Sequence, residues 1–200
     1  MTTIIEIDEW LFQLINQDMH NAVLDFIMPY WRNKYFWIPF YVALAVFLVA
    51  KFKARGAYLI VGLLVAVSIA DSVSSHVVKQ QVQRVRPCNQ EELKDEVQLL
   101  IRCGTGYSFT SSHATNHFAI AVFLILTLGR IYRKIKWPLL LWAATIALGQ
   151  VYVGVHFPLD IIAGGLLGSL IGWGVAKIYH RFPGITLERI FRTPAPENQE

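Results

Sequence analysis

Five apolar stretches constrain this chain more than any other feature. They cover residues 35–50, 56–78, 114–129, 137–155 and 159–178. Each approaches the roughly 20 residues that an α-helix needs to cross a bilayer. Charged segments separate most of them, as loops separate membrane spans. A hydrophobic content of 54% and a mean hydropathy of +0.42 agree. The expected fold is all-α: a polytopic membrane helical bundle of about five transmembrane helices.

The segment before them reads differently. From Ile7 to Tyr30, Trp10, Leu11, Leu14, Val23, Leu24 and Phe26 are interspersed with Asp8, Glu9, Asp18, His20 and Asp25, and Pro29 interrupts the end. Spread carboxylates suit an amphipathic helix on the membrane surface, a tilted sixth span being the alternative. One domain is therefore expected over 1–200: an interfacial helix in 1–34, a transmembrane core in 35–181 and a polar tail in 182–200. No cleavable leader is expected, because Glu6, Asp8 and Glu9 stand where a positive region would be. In the last stretch Gly164, Gly165, Gly168, Gly172 and Gly174 recur at the spacing that lets membrane helices pack closely, a structural role.

Lys and Arg set the expected orientation. The loops after the first and third stretches and the C-terminal segment carry 11 of the 18; the N-terminal segment and the 79–112 loop carry the rest. The richer side is expected to be cytoplasmic, which turns the 79–112 loop outward. The net charge of +4 needs no nucleic acid to explain it, since basic residues beside spans give the same balance. Cys88 and Cys103 share that loop; they form a disulfide if it faces an oxidising compartment, and are free thiols otherwise.

Three polar segments emerge on the outward side if each stretch crosses once. Lys79 and Arg86 follow the second stretch, seven residues apart, near one face of a continuing helix. Thr110-Ser111-Ser112-His113 precedes the third, where Ser and Thr are N-cap residues and the helix start offers free N–H groups to an anion. His156 and Asp160 lie four apart around Pro158, before the fifth. A carboxylate on one imidazole nitrogen leaves the other free to attack. Arg and Lys clamp phosphate oxygens, so together these are the parts of a phosphoryl-transfer site.

These residues resemble the type 2 phosphatidic acid phosphatase family, itself related to vanadium haloperoxidases. The family pattern is Lys-x6-Arg-Pro, then Pro-Ser-Gly-His, then Ser-Arg-x5-His-x3-Asp. Lys79 to Pro87 matches the first completely. The second keeps Ser111 and His113, with Thr110 for Pro and Ser112 for Gly. The third keeps His156 and Asp160, but Gly149-Gln150 stands at Ser-Arg. The resemblance implies an integral membrane lipid phosphatase; the economy of the chain points to a bacterial source and hence an inner-membrane location. The site would face outward and the substrate would be a lipid phosphate or pyrophosphate. It implies His156 as nucleophile, Asp160 as its orienter and His113 as acid and base. Lys79, Arg86, Ser111, Ser112 and Gln150 would bind phosphate, with no metal or cofactor.

Gln150 is the departure with chemical weight, because an amide supplies no charge. Arg84 or Arg102 is the expected substitute, in which case Arg102→Ala should lower turnover far more than KM. Asp71, two turns before Lys79 and inside the second stretch, is either a functional residue, as ionisable groups within spans often are, or a structural partner for a polar neighbour such as His76, Asn116 or His117. Two other functions fit some of the residues: a non-catalytic lipid-phosphate binder, and a Ser/His/Asp hydrolase with Ser111 as nucleophile. A serine-directed fluorophosphonate would inactivate the latter; vanadate would inhibit the phosphatase.

Overall fold

The computed structural model describes residues 2–187, and within them the chain is helical and without strands. Seven α-helices follow one another: α1 (Thr2–Gln13), α2 (Ala22–Trp31), α3 (Ile38–Phe52), α4 (Ala54–Val82), α5 (Ser112–Thr127), α6 (Lys136–Tyr152) and α7 (Pro158–Tyr179). Every apolar stretch forms a helix. Three are long and apolar enough to cross a membrane: α4, the stretch Ser112–Arg130 that opens with α5, and α7. α3 is apolar but shorter, and α6 has 17 residues. From residue 188 the expected polar tail lies outside the described residues.

The bundle is organised around α5 and α7, and absent side chains bring them together. A Cβ on Gly168 would stand 2.1 Å from the Thr115 carbonyl oxygen. One turn to either side, Gly172 and Gly164 would meet the Ala119 and Ser111 oxygens at 2.5 and 2.7 Å. The helices touch backbone to backbone along this seam, the structural role expected for these glycines. Gly174 points elsewhere, with nothing within 4 Å.

The main apolar core, including Leu48, Phe52, Leu59, Phe123, Leu124 and Tyr179, gathers where α3, α5 and α7 end and α4 begins. The opposite end is left for polar chemistry. Outward faces are apolar as well: Leu64, Leu166 and Leu170 are each more than 60% exposed, a surface suited to lipid.

The N-terminal segment departs from a single amphipathic helix. It breaks at Met19–Asn21, where the Asn21 carboxamide oxygen caps α2 by accepting the Leu24 N–H at 3.0 Å. Both pieces are anchored to the bundle. Buried Asn16 donates to the Gln98 and Tyr152 carbonyls at 3.0 and 2.8 Å and accepts the Gln98 N–H at 2.9 Å. Asp8, read from sequence as part of a wet face, is 1% exposed and accepts the Leu159 N–H at 2.7 Å. A single long amphipathic pattern concealed these buried polar contacts because hydropathy alone cannot tell a solvated carboxylate from a paired one.

Candidate active site

The end of α4 is shaped by two interruptions. A π-turn over Val73–Val78 closes with the Lys79 N–H donating to Ser74 O, which widens the helix locally. The helix then stops after Val82, as Gln83 adopts a left-handed φ of 51°. Pro87 disfavours a helical conformation at Arg86, which is extended at φ −71°, ψ 151°. Lys79 and Arg86 therefore do not share a face of one continuing helix; Arg86 comes back to the site from the loop. Lys79 Nζ donates to Tyr107 O at 3.0 Å. Arg86 donates from Nε to Gly106 O at 2.8 Å and from Nη1 to Val155 O at 3.0 Å.

At the start of α5, Ser111 is the N-cap, as its residue type and place predict. Its buried hydroxyl accepts the Ala114 N–H at 3.5 Å, and its own N–H donates to Asp160 O at 3.0 Å. It sits behind the cavity wall, with its hydroxyl turned to its own helix. Ser112 and His113 do line the cavity. The Ser112 hydroxyl is held by those of Ser74 and Ser75, at 2.7 and 3.0 Å, so the π-turn of α4 also orients the α5 N-terminus.

At the start of α7, Pro158 takes the first helical position and Asp160 the third. The Asp160 carboxylate reaches back to accept the Phe157 N–H at 2.9 Å. The same oxygen, Oδ2, lies 3.3 Å from His156 Nδ1, while Oδ1 accepts from Arg84 Nη1 at 3.0 Å. Arg84 continues to Asp8 Oδ2 at 2.6 Å and lies over the Phe157 ring at 3.9 Å. It is committed to these groups rather than free for phosphate.

The imidazole tautomer follows from its neighbours. Arg86 Nη1 stands 3.2 Å from His156 Nε2, and an arginine can only donate. Nε2 therefore presents its lone pair, and the proton resides on Nδ1, directed at Asp160. Burial, more than the opposing hydrogen bond to Asp160, pulls His156 down to about 4, with Arg86 adding to the decrease. The ring is neutral at physiological pH.

A cavity of about 390 Å³ unites these elements. Lys79, Arg86, Ser112, His113, Gln150 and His156, all singled out by sequence, line it; Ser111 and Asp160 stand behind. Arg102 lines it from the loop. Cys88 and Cys103 are joined by a disulfide, which braces that loop beside Arg102 and Gly104. Asp71 accepts from Asn116 Nδ2 at 3.0 Å, one of the expected pairings. Sequence reasoning missed Ser75, Tyr107 and Arg32, which are also in the wall. Arg32 ends α2, far from any motif, and its Nε donates to Gln150 Oε1 at 3.0 Å. Its basic character between two apolar segments was the only signal in the sequence.

Comparison with known proteins identifies the family. A model of the PAP2 superfamily matches residues 34–183. The chain belongs to that superfamily. Within it, lipid A 4'-phosphatase of Bacteroides thetaiotaomicron is 30% identical over 96% of this chain and 84% of its own. Undecaprenyl-diphosphatase of Sulfolobus acidocaldarius is 33% identical over 91% of this chain and 83% of its own. The crystal structure of Aquifex aeolicus LpxE covers 86% of this chain and 95% of its own, with a TM-score of 0.65 and 29% identity. A PAP2-type phosphatidylglycerolphosphate phosphatase from Bacillus subtilis has the same fold, with a TM-score of 0.68 over 90% of this chain, 88% of its own, at 20% identity.

Proposed function

We propose that this PAP2 protein is a membrane-embedded hydrolase of a lipid phosphate or pyrophosphate, acting through a phospho-histidine. The carrying observation is the placement of His156, with Nδ1 3.3 Å from Asp160 Oδ2 and Nε2 3.2 Å from Arg86 Nη1 in a cavity that Lys79 also lines, which favours Nδ1–H and a lone pair on Nε2. The Nε2 lone pair attacks phosphorus, forming a P–N bond as the P–O bond to the lipid breaks. His113 gives its proton to the departing oxygen, then takes one from water as that water attacks phosphorus. Inorganic phosphate leaves, and the P–N electron pair returns to Nε2. Lys79 and Arg86 hold the equatorial oxygens, where charge accumulates in the transition state. Asp160 keeps the tautomer and stabilises the charge that His156 acquires on attack.

The location follows the same reading. At 29 residues α4 is roughly 43 Å long against about 30 Å of hydrocarbon, so Lys79 in its last turn can stand at the headgroup level. α1 and α2, 12 and 10 residues long, are each too short to cross and lie at the surface around the mouth. The distribution of Lys and Arg and the loop disulfide both favour an outward mouth, in a bacterium the periplasmic side of the inner membrane. The relatives named for lipid A and undecaprenyl diphosphate support a lipid-borne phosphate as substrate class.

The test is phosphate release by purified protein in detergent with EDTA, on a panel of lipid phosphates and pyrophosphates, with His156→Ala alongside. Release by wild type alone is the expected result. Equal release by the variant, or none by either, overturns the reading.

A further inference from the structure

We infer that Arg32, contributed by the N-terminal helix pair, is the third cationic clamp on the substrate phosphate, with Gln150 as its positioning residue. The inference rests on the hydrolase reading above and adds a residue that lies outside every motif.

Arg32 reaches the cavity wall from the C-terminus of α2, whose N–H groups bond within that helix, so its place is set by a folded element. Its Nε is taken by Gln150 Oε1 at 3.0 Å. Gln150 is wholly buried, and its amide nitrogen donates to Ile146 O at 3.4 Å, one turn back. That bond fixes which end of the amide faces Arg32. The two Nη groups remain available to an oxyanion, because among the described residues no carboxylate pairs with Arg32. Burial, followed by the nearby Arg86 charge, pulls Arg32 down to about 10, so it stays cationic at neutral pH. Arg32, Lys79, Arg86 and Arg102 thus line one cavity with no carboxylate among the described residues that line it, and Asp160, beside His156, is engaged by His156 and Arg84. A wall so charged is complementary to a multiply charged anion.

The departure from Arg at position 150 now has a physical account. Gly149 lies under the Arg32 stem: a Cβ there would stand 3.4 Å from Arg32 Cβ and 3.7 Å from Met28 Sδ. Both are ordinary contact distances, so position 149 marks where α2 lies on α6, and the glutamine beside it holds the guanidinium that arrives. The charge missing at position 150 is restored by a side chain 118 residues earlier in the chain. Arg84 cannot take this part, being held by Asp8 and Asp160. Arg102 is an exposed residue of the loop, with no contact to position 150 that fixes it.

The experiment uses the full chain in detergent and reads two quantities: orthovanadate affinity, from ligand-induced thermal shift, and kcat and KM for phosphate release. Arg32→Met keeps the stem and removes the charge. It is expected to lower kcat about 10²–10³-fold and to weaken vanadate binding at least tenfold. Gln150→Arg in the Arg32→Met background is expected to recover at least tenfold of each, which a merely structural role would not allow. Trp31→Phe, which loses the α2 bond to Thr145, should lower the thermal midpoint yet leave vanadate affinity within threefold. Vanadate affinity and kcat unchanged in Arg32→Met, or a double variant no better than the single, overturn the assignment. Wild type that binds vanadate but releases no phosphate defeats the hydrolase reading alone, since the Arg32 series is still read on vanadate. Wild type that binds no vanadate overturns both.

Discussion

Asp8 and Arg84, 76 residues apart, meet at 2.6 Å, and Arg84 reaches on to the Asp160 that contacts His156. Through Arg84 the first helix touches Asp160, and through Asp160 it touches His156. Losing Asp8 leaves Arg84 with Asp160 as its remaining carboxylate partner and takes the acceptor from the Leu159 N–H. Asp8→Ala is therefore expected to lower the thermal midpoint in detergent and to reduce kcat by freeing Arg84 to draw on Asp160 alone. Parallel thermal unfolding and phosphate-release measurements check it.

The pH dependence carries a clear sign. In the proposed mechanism attack needs neutral His156, so activity should be lost as pH falls through its folded value of about 4, not through the ordinary 6.5. The groups that act on it are Asp160, which raises it, and Arg86 and Lys79, which lower it. Arg86→Gln removes one opposing charge, so the acid limb of kcat/KM should move to higher pH while the plateau falls. A limb that stays in place in this variant would count against the Arg86–His156 contact.

Reduction of Cys88–Cys103 should open the mouth without disabling the nucleophile. The closed loop has a sequence separation of 15, for which the constraint on the unfolded chain is about 3 kcal/mol. Dithiothreitol, or Cys88→Ser with Cys103→Ser, is expected to raise KM more than it lowers kcat, because Arg102, Gly104, Gly106 and Tyr107 belong to the cavity wall. Steady-state kinetics with and without reductant provide the measurement.

Two glycines of α7 should behave oppositely. Gly168→Ala places a methyl 2.1 Å from a backbone oxygen that has no rotamer to change, so the yield of folded protein should collapse. Gly174→Ala meets nothing within 4 Å and gains helix propensity, so it should be neutral or slightly stabilising. Size-exclusion profiles and thermal midpoints of the pair decide this.

What could be read from the chain, and what could not, divides by distance in sequence. The helices were legible because hydropathy is local, and most of the wall was legible because the spacings in Lys79–Pro87 and His156–Asp160 are local too. Alternation across a bilayer then implied that the three segments share a face. The Arg32–Gln150 and Asp8–Arg84 contacts join residues 118 and 76 apart, and no periodicity links them. Arg84, expected as a free cation, is instead bound on both sides. The turn after Val82 was hidden for another reason: a seven-residue interval fits two turns of helix as well as it fits a helix end followed by an extended return.

The seam between α5 and α7 also fixes where this protein could change its diet. Backbone packed on backbone has no side chain to vary, so the ends of those helices, with His113 on one and Asp160 on the other, are tied to a single spacing. Adaptation to a bulkier or smaller headgroup is left to a wall that shares neither the seam nor the proposed clamps: the disulfide-braced loop that carries Arg102. Homologous exchange of residues 88–103 should therefore alter which lipid is accepted while phosphate release continues.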